Sequence, residues 1–148
     1  MKIFVAADHN GFDFKKQVLA FLERSGHVVV DEGDDKLDPQ DDFPQFASRA
    51  VNALLADSDH EARAVLICGS GQGMCIAANR FKGIRACLCG DAQEARTARN
   101  DDDCNVLCLP ARLMSAQEAE PIISAWLSTP FAGAERYKRR IKELDELN

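Results

Sequence analysis

Cys68 is followed directly by Gly69, Ser70, Gly71, Gln72 and Gly73, and then by the helix-forming stretch Met74 to Asn79. Three glycines at alternate positions let a backbone approach an anion closely, and amides that point out of such a loop at the head of a helix stabilise negative charge. The same donors suit a phosphate or the oxyanion of an enediolate formed during proton transfer. A tight turn that merely packs a helix on a strand is the other use of such a loop. Cys68 sits immediately before those amides, where a lowered pKa would make a thiolate able to abstract a carbon-bound proton near neutral pH. The alternative is a core thiol, since cysteine is among the commonest buried residues. Cys75, one turn further on, is a secondary thiol candidate, and Asp8 with His9 adds an acid and an imidazole after the first apolar run.

Neighbouring chemistries fit the same residues poorly. A dinucleotide fingerprint wants a third glycine where Met74 stands, and wants it after the first strand rather than the third. A cysteine-phosphatase loop needs an arginine a few residues past the thiol, but the nearest one is Arg80. A receiver domain would end its third strand in aspartate, where this chain has Cys68.

Five apolar runs must position these groups: Lys2 to Ala7, Val28 to Asp31, Ala64 to Cys68, Ile84 to Cys89 and Val106 to Leu109. Amphipathic stretches separate them, and near-continuous apolarity marks strands buried on both faces of a parallel sheet. The expected fold is α/β: a single doubly wound, Rossmann-like, five-stranded parallel sheet with helices on both faces and a C-terminal helix. The chain length of 148 residues suits one domain over residues 1–148. Helices are expected from about Gly11 to Ser25 with Gly26 as a left-handed cap, from near Pro44, and from Glu135 to about Leu144. Asp91 with Glu94, and Ser115 with Glu118, have capping-box spacing. Asp31 to Asp42 reads as a polar loop. Ligands of open parallel sheets bind at the carboxyl ends of strands. A flavodoxin-type strand order would therefore make the loop carrying Asp8 and His9 a neighbour of the Cys68 loop.

The chain carries 24 acidic and 18 basic residues, a net charge of -6, which disfavours nucleic acid and anionic membrane as partners. The cluster Arg136 to Arg140 stands out against that background, with a solvated helix face as its plain reading. The short apolar run of the amino terminus and the lack of any membrane-length apolar stretch point to the cytoplasm. The six cysteines are then expected to be reduced. They form no C-x-x-C pair and lie far in sequence from His9, His27 and His60, so no metal site and no cofactor is expected.

The string from Leu66 to Asn79, followed by Lys82-Gly83-Ile84-Arg85-Ala86, resembles the ribose-5-phosphate isomerase B family, which includes galactose-6-phosphate isomerase subunits. The resemblance extends to Ala7-Asp8-His9-Asn10-Gly11, Asp42-Phe43-Pro44, Asn105-Val106-Leu107 and Arg112. It implies an aldose–ketose isomerase that works by metal-free proton transfer through an enediolate. By the same resemblance Cys68 matches the proton-shuttling thiol, while Ser70 and the amides of Gly69, Gly71 and Gly73 match the anion hole. Asp8 and His9 match residues that meet the sugar and its phosphate; Arg112, Arg136 and Arg140 match the phosphate-binding arginines. A homodimer, or a dimer of dimers, with active sites shared between subunits is implied too.

Three positions depart from the family pattern. Phe43 replaces a tyrosine in the pocket wall, and Asp101-Asp102-Asp103 replaces a His-Asn-Asp run whose histidine opens the furanose ring. An ionised aspartate can accept a proton but not supply one near neutral pH, so a substrate other than ribose 5-phosphate is expected, one readily available in open-chain form. The alternative function is a non-catalytic sugar-phosphate-binding or partner subunit of the same family, against which the retained Cys68 argues. A nucleotide-binding module would need an adenine slot that no stretch supplies.

Overall fold

In the computed structural model, which describes residues 1–147, all five apolar runs become strands of one parallel sheet. They are β1 (Lys2–Ala7), β2 (Val28–Asp31), β3 (Arg63–Cys68), β4 (Ala86–Leu88) and β5 (Val106–Pro110). Every residue of β3 and β5 is buried, as strands covered on both faces should be. The intervening helices are α1 (Phe12–Arg24), α2 (Phe43–Ala56), α3 (Gln72–Ala78), α4 (Ala92–Asp102), α5 (Ala116–Ser128) and α6 (Glu135–Asp145). Ile3, Val5, Val65, Ile67, Leu107 and Leu109 face α1, α4 and α5 in one core layer. The alternate residues Phe4, Ala6, Leu66, Cys68, Val106 and Cys108 face α2 and α3 in the other. The doubly wound α/β expectation is met.

The strand order is β2-β1-β3-β5-β4. It follows the flavodoxin pattern through β3 and then departs, because β5 and not β4 pairs with β3. That exchange matters for chemistry. It sets the end of β5 beside the Cys68 turn, where the amides of Ala111 and Arg112 donate to the carbonyls of Cys68 and Gly69, both at 2.9 Å.

β4 is shorter than the expected Ile84–Cys89 run. Ile84 closes a turn on the Phe81 carbonyl, and the Arg85 amide is taken by the Asn105 side chain at 2.9 Å. As an edge strand, β4 needs partners for its outer backbone groups. Asn79 supplies them, its amide side chain meeting both the N–H and the C=O of Ala86 at 2.9 Å.

Gly26 follows α1 at φ +83°, the left-handed cap that the sequence predicts. Ser115 and Glu118 form the reciprocal capping box. Asp91 caps the amides of Gln93 and Glu94, but Glu94 turns back one residue further than expected and accepts from Gly90 at 2.7 Å. The half of the box that Glu94 was to supply is therefore missing. The polar loop after β2 is held by Lys15, buried on α1, whose ammonium donates to both Asp31 oxygens at 2.7 Å. α6 buries none of its residues.

Candidate active site

The carboxyl ends of β1, β3 and β5 enclose a cavity of about 280 Å³. Asp8 and Asn10 reach it from β1, Phe43 from the head of α2, Cys68, Gly69, Ser70 and Gly73 from β3, and Arg112 and Leu113 from β5. A larger cavity of about 470 Å³ lies against Phe81, Ile84 and Leu144. Asp102, Cys87 and Cys104 line it but none of the glycine-loop backbone does, so the candidate chemistry belongs to the smaller one.

The turn after β3 has the form its glycines demand. Gly71, the residue before α3, sits at φ +72°, and a side chain there would press on Leu88 and on the Leu109 backbone. A Cβ at Gly73 would come within 2.9–3.1 Å of the Phe43 ring, and one at Gly69 within 3.1–3.3 Å of the Arg112 side chain. Glycine thus lets an aromatic wall and a guanidinium lie directly on the backbone. Among the described residues, no protein acceptor takes the amides of Ser70, Gly71 or Gly73; the Ser70 hydroxyl accepts from Gln72 at 3.3 Å. Cys68 ends β3 with 4 % of its surface exposed, on the α2 and α3 side of the sheet.

Asp8 is buried at the end of β1, where one carboxylate oxygen accepts from the amides of Asn10 at 3.0 Å and Gly11 at 3.3 Å. This brackets a short 3-10 turn, His9–Gly11, and Gly11 lies so close to Ile67 that a Cβ there would stand 2.6 Å from its side chain. Arg112 donates to the Asn10 oxygen at 2.6 Å. The Asn10 amide then faces His9 Nε2 at 2.9 Å, and His9 Nδ1 faces Asp41 at 2.6 Å. Asp41 also accepts the His9 backbone N–H at 3.0 Å. The Asp41 hydrogen bond holds the His9 pKa above its ordinary 6.5, with the charges of Asp41 and Asp8 adding to it and partial desolvation and Arg112 opposing. Asn10 opposes it as well, because its amide donates to Nε2 only while that nitrogen is unprotonated.

Asn10 and Asp41 are the site residues that sequence reasoning missed. Asn10 was visible inside the Ala7–Gly11 motif, whereas Asp41 is separated from His9 by 32 positions and carried no signal beyond an acidic loop. Asp8, His9 and Asp41 offer ligand atoms within 4.8 Å of one another. Both His9 ring nitrogens are already engaged, so a cation there would have to displace Asn10 or Asp41.

Six expected residues do not line this cavity: His9 and Gly71, each next in sequence to a lining residue, and Asp101, Asp102, Arg136 and Arg140. Asp101 accepts from Asn100 at 2.7 Å at the end of α4. Asp102 lines the larger cavity, and Arg136 and Arg140 are exposed on α6. Arg136 donates to the Tyr137 hydroxyl at 2.9 Å, which raises its pKa, and the Asp101 charge acts in the same direction. For Asp101, Asp102, Arg136 and Arg140 the departure has one physical origin: α4 and α6 lie away from the strand ends that build the cavity. Cys75, the secondary candidate, also lies outside it. Hydrogen bonds from Cys108 and then Asn79 bring its pKa down to about 7 against partial burial, but its Sγ faces Ala86 at 3.5 Å rather than the glycine loop.

An open parallel α/β sheet with a thiol, a glycine loop and an arginine at its switch point defines a small-anion site. The model of the Ribose/Galactose Isomerase family matches residues 3–144, and the chain belongs to that family. It is 36 % identical to ribose-5-phosphate isomerase B of Mycolicibacterium paratuberculosis, over 99 % of this chain and 91 % of that one. The crystal structure of a ribose 5-phosphate isomerase from Thermotoga maritima superposes with a TM-score of 0.92 at 41 % identity, covering 98 % of this chain and 97 % of that one. Ribose-5-phosphate isomerase B from Mycoplasma genitalium, solved with bound ribulose-5-phosphate, gives 0.93 at 37 % identity, covering 99 % and 95 %. The chain is an enzyme of the aldose–ketose isomerase class. Among the described residues no helix is long and apolar enough to cross a membrane.

Proposed function

We propose that this protein isomerises a phosphorylated sugar by metal-free proton transfer, as one cytoplasmic domain over residues 1–148 working in a homodimer. The observation that carries this reading is the meeting of Asp8, Cys68, the Ser70 loop and Arg112 around one cavity of about 280 Å³.

Aldose-to-ketose conversion moves one hydrogen from C2 to C1 and one proton from the C2 hydroxyl to the C1 oxygen. The Cys68 thiolate takes the C2 proton and returns it to C1. The amides from Gly69 to Gly73 and the Ser70 hydroxyl hold the enediolate oxygens while that charge exists. Asp8 passes the proton between the two oxygens. Arg112 grips the phosphate with its planar fork, beside His9. Arg136 and Arg140, four apart on α6 and solvent-facing, complete the clamp from a second copy, and Asp101 and Asp102 approach from the same subunit. The six free thiols support a reducing compartment.

The substrate reading follows from Asp101, which replaces the ring-opening acid. A four-carbon sugar with phosphate on its last carbon has no hydroxyl free to close a furanose and needs no such acid. Erythrulose 4-phosphate is therefore preferred over ribose 5-phosphate, which closes a furanose through its C4 hydroxyl. Ribulose 5-phosphate, its C5 oxygen phosphorylated, is open-chain as well and serves as the comparison. Catalytic efficiencies for the three on purified protein test this. A clear preference for ribose 5-phosphate removes the open-chain reading, and binding without turnover of any of them removes the enzymatic one.

A further inference from the structure

At the opposite end of the sheet from Cys68, the starts of β3, β4 and β5 surround a cavity of about 420 Å³. Three arginines line it in a chain whose net charge is -6. Arg63 and Arg99 are only 5 % and 6 % exposed. Asp103 is shared by two of them, accepting from Arg85 at 2.9 Å and from Arg99 at 2.7 Å. Among the described residues no carboxylate lies within ion-pair distance of Arg63. Its guanidinium rests over the Trp126 ring at 5.3 Å and donates through Nη1 to the carbonyls of Trp126 and Leu127.

Those carbonyls end α5 and carry part of a helix dipole, which offsets a fraction of one charge. Glu61, exposed on the cavity wall, forms no ion pair with any of the three arginines. Asp103, Glu61 and one helix end therefore leave three guanidinium groups, Arg63 and Arg99 buried and Arg85 partly exposed, short of full compensation. Burial first, and then the Arg99 charge, bring the Arg63 pKa down to about 10, against the opposing charges of Glu61 and Asp103. Donors also remain. Nε and Nη2 of Arg63, Nη2 of Arg99 and Nη1 of Arg85 meet no acceptor among the described residues, and none of them is fully occluded. Convergent, unused guanidinium forks suit a phosphoryl dianion. The cavity exceeds one phosphate, and Pro130 and Phe131 give it an apolar wall.

We infer that this basic cavity is a second, non-catalytic binding site for a small phosphate ester, held by Arg63, Arg85 and Arg99 at the far end of the sheet. It stands independently of the catalytic reading.

Amide NMR of the full chain, titrated with inorganic phosphate at ionic strength balanced by chloride, tests it. The amides from His60 to Arg63 and from Asp103 to Asn105 are expected to move along one saturable curve, separate from that of Gly69 to Gly73. Arg63→Met is expected to weaken that curve by about tenfold or more, the loss of one charge-assisted pair, and to leave the glycine-loop curve unchanged. No saturable shift at the basic cavity, an equal shift with chloride alone, or unweakened binding in Arg63→Met would overturn the inference. If Arg63→Met fails to fold, Arg63→Lys, which keeps the charge but loses the fork, must still weaken the curve. Parallel arms with an aldose phosphate and a nucleoside monophosphate identify the carrier as the one that saturates below inorganic phosphate. If neither does, the ester is excluded. Because Gly69 to Gly73 report in the same spectra, failure here leaves the catalytic site separately readable.

Discussion

Replacing Gly71 by alanine probes how the glycine loop is held. The residue sits at φ +72°, where a Cβ costs about 1–2 kcal/mol in any L-residue. That Cβ would also stand 2.5 Å from Leu88 Cδ1 and 3.1 Å from the Leu109 carbonyl carbon. Leu88 is partly exposed and can rotate away. Leu109 belongs to β5 and cannot, so the loop must shift, and overpacking of this kind costs about 1–3 kcal/mol. The sum is about 2–5 kcal/mol. Gly26 is the internal control: its φ is +83°, but nothing lies within 4 Å of its Cβ position. Gly26→Ala should therefore lose only the conformational part, about 1–2 kcal/mol. Urea unfolding of both variants measures the two losses at unchanged slope. Turnover at saturating substrate should fall by about a hundredfold in Gly71→Ala, because the amides move off the enediolate, and stay near wild type in Gly26→Ala. Equal stability losses, or full activity in Gly71→Ala, would refute the close-approach reasoning.

Asp41→Asn should lower the His9 pKa, which NMR titration of the imidazole measures. The sign follows from the raised folded value: the Asp41 contact contributes stability that is fully present below about pH 6.5 and is lost as pH rises through the folded pKa. In the variant that pH dependence should shrink, and an unmoved titration would contradict the assignment. The shared-site reading predicts that Cys68→Ser and Arg136→Ala, each inactive or weak alone, regain about a quarter of wild-type activity when subunits are randomly mixed, since only heterodimers carry one intact site. No recovery after confirmed exchange would place Arg136 outside the site. Cys75→Ser should keep most activity despite the pKa of about 7 at that thiol, as its sulfur faces away from the cavity.

The strands were legible because β-branched runs buried on both faces leave little else for the chain to do, and β1 and β2 begin and end where their apolar runs do. The order of β4 and β5 was not legible. Nothing local in Ala86–Leu88 distinguishes an edge strand; the outcome rests on Asn79 closing that edge from α3. Cys68 and Ser70 could be read from motif and strand position, and Arg112 from resemblance. The link from Asp41 through His9 and Asn10 to Arg112 could not, since it joins three loops across long separations. Asp101, Asp102, Arg136 and Arg140 were read from resemblance, and the fold of one chain leaves them apart from the cavity.

Cys68→Ser tests the proton-transfer reading most directly. A hydroxyl matches the thiol closely in size but is a far weaker base, so turnover should fall by at least about 10²–10⁴-fold while ligand binding measured by titration stays within about twofold. Turnover like that of the wild type in this variant would contradict the role of Cys68 as the base.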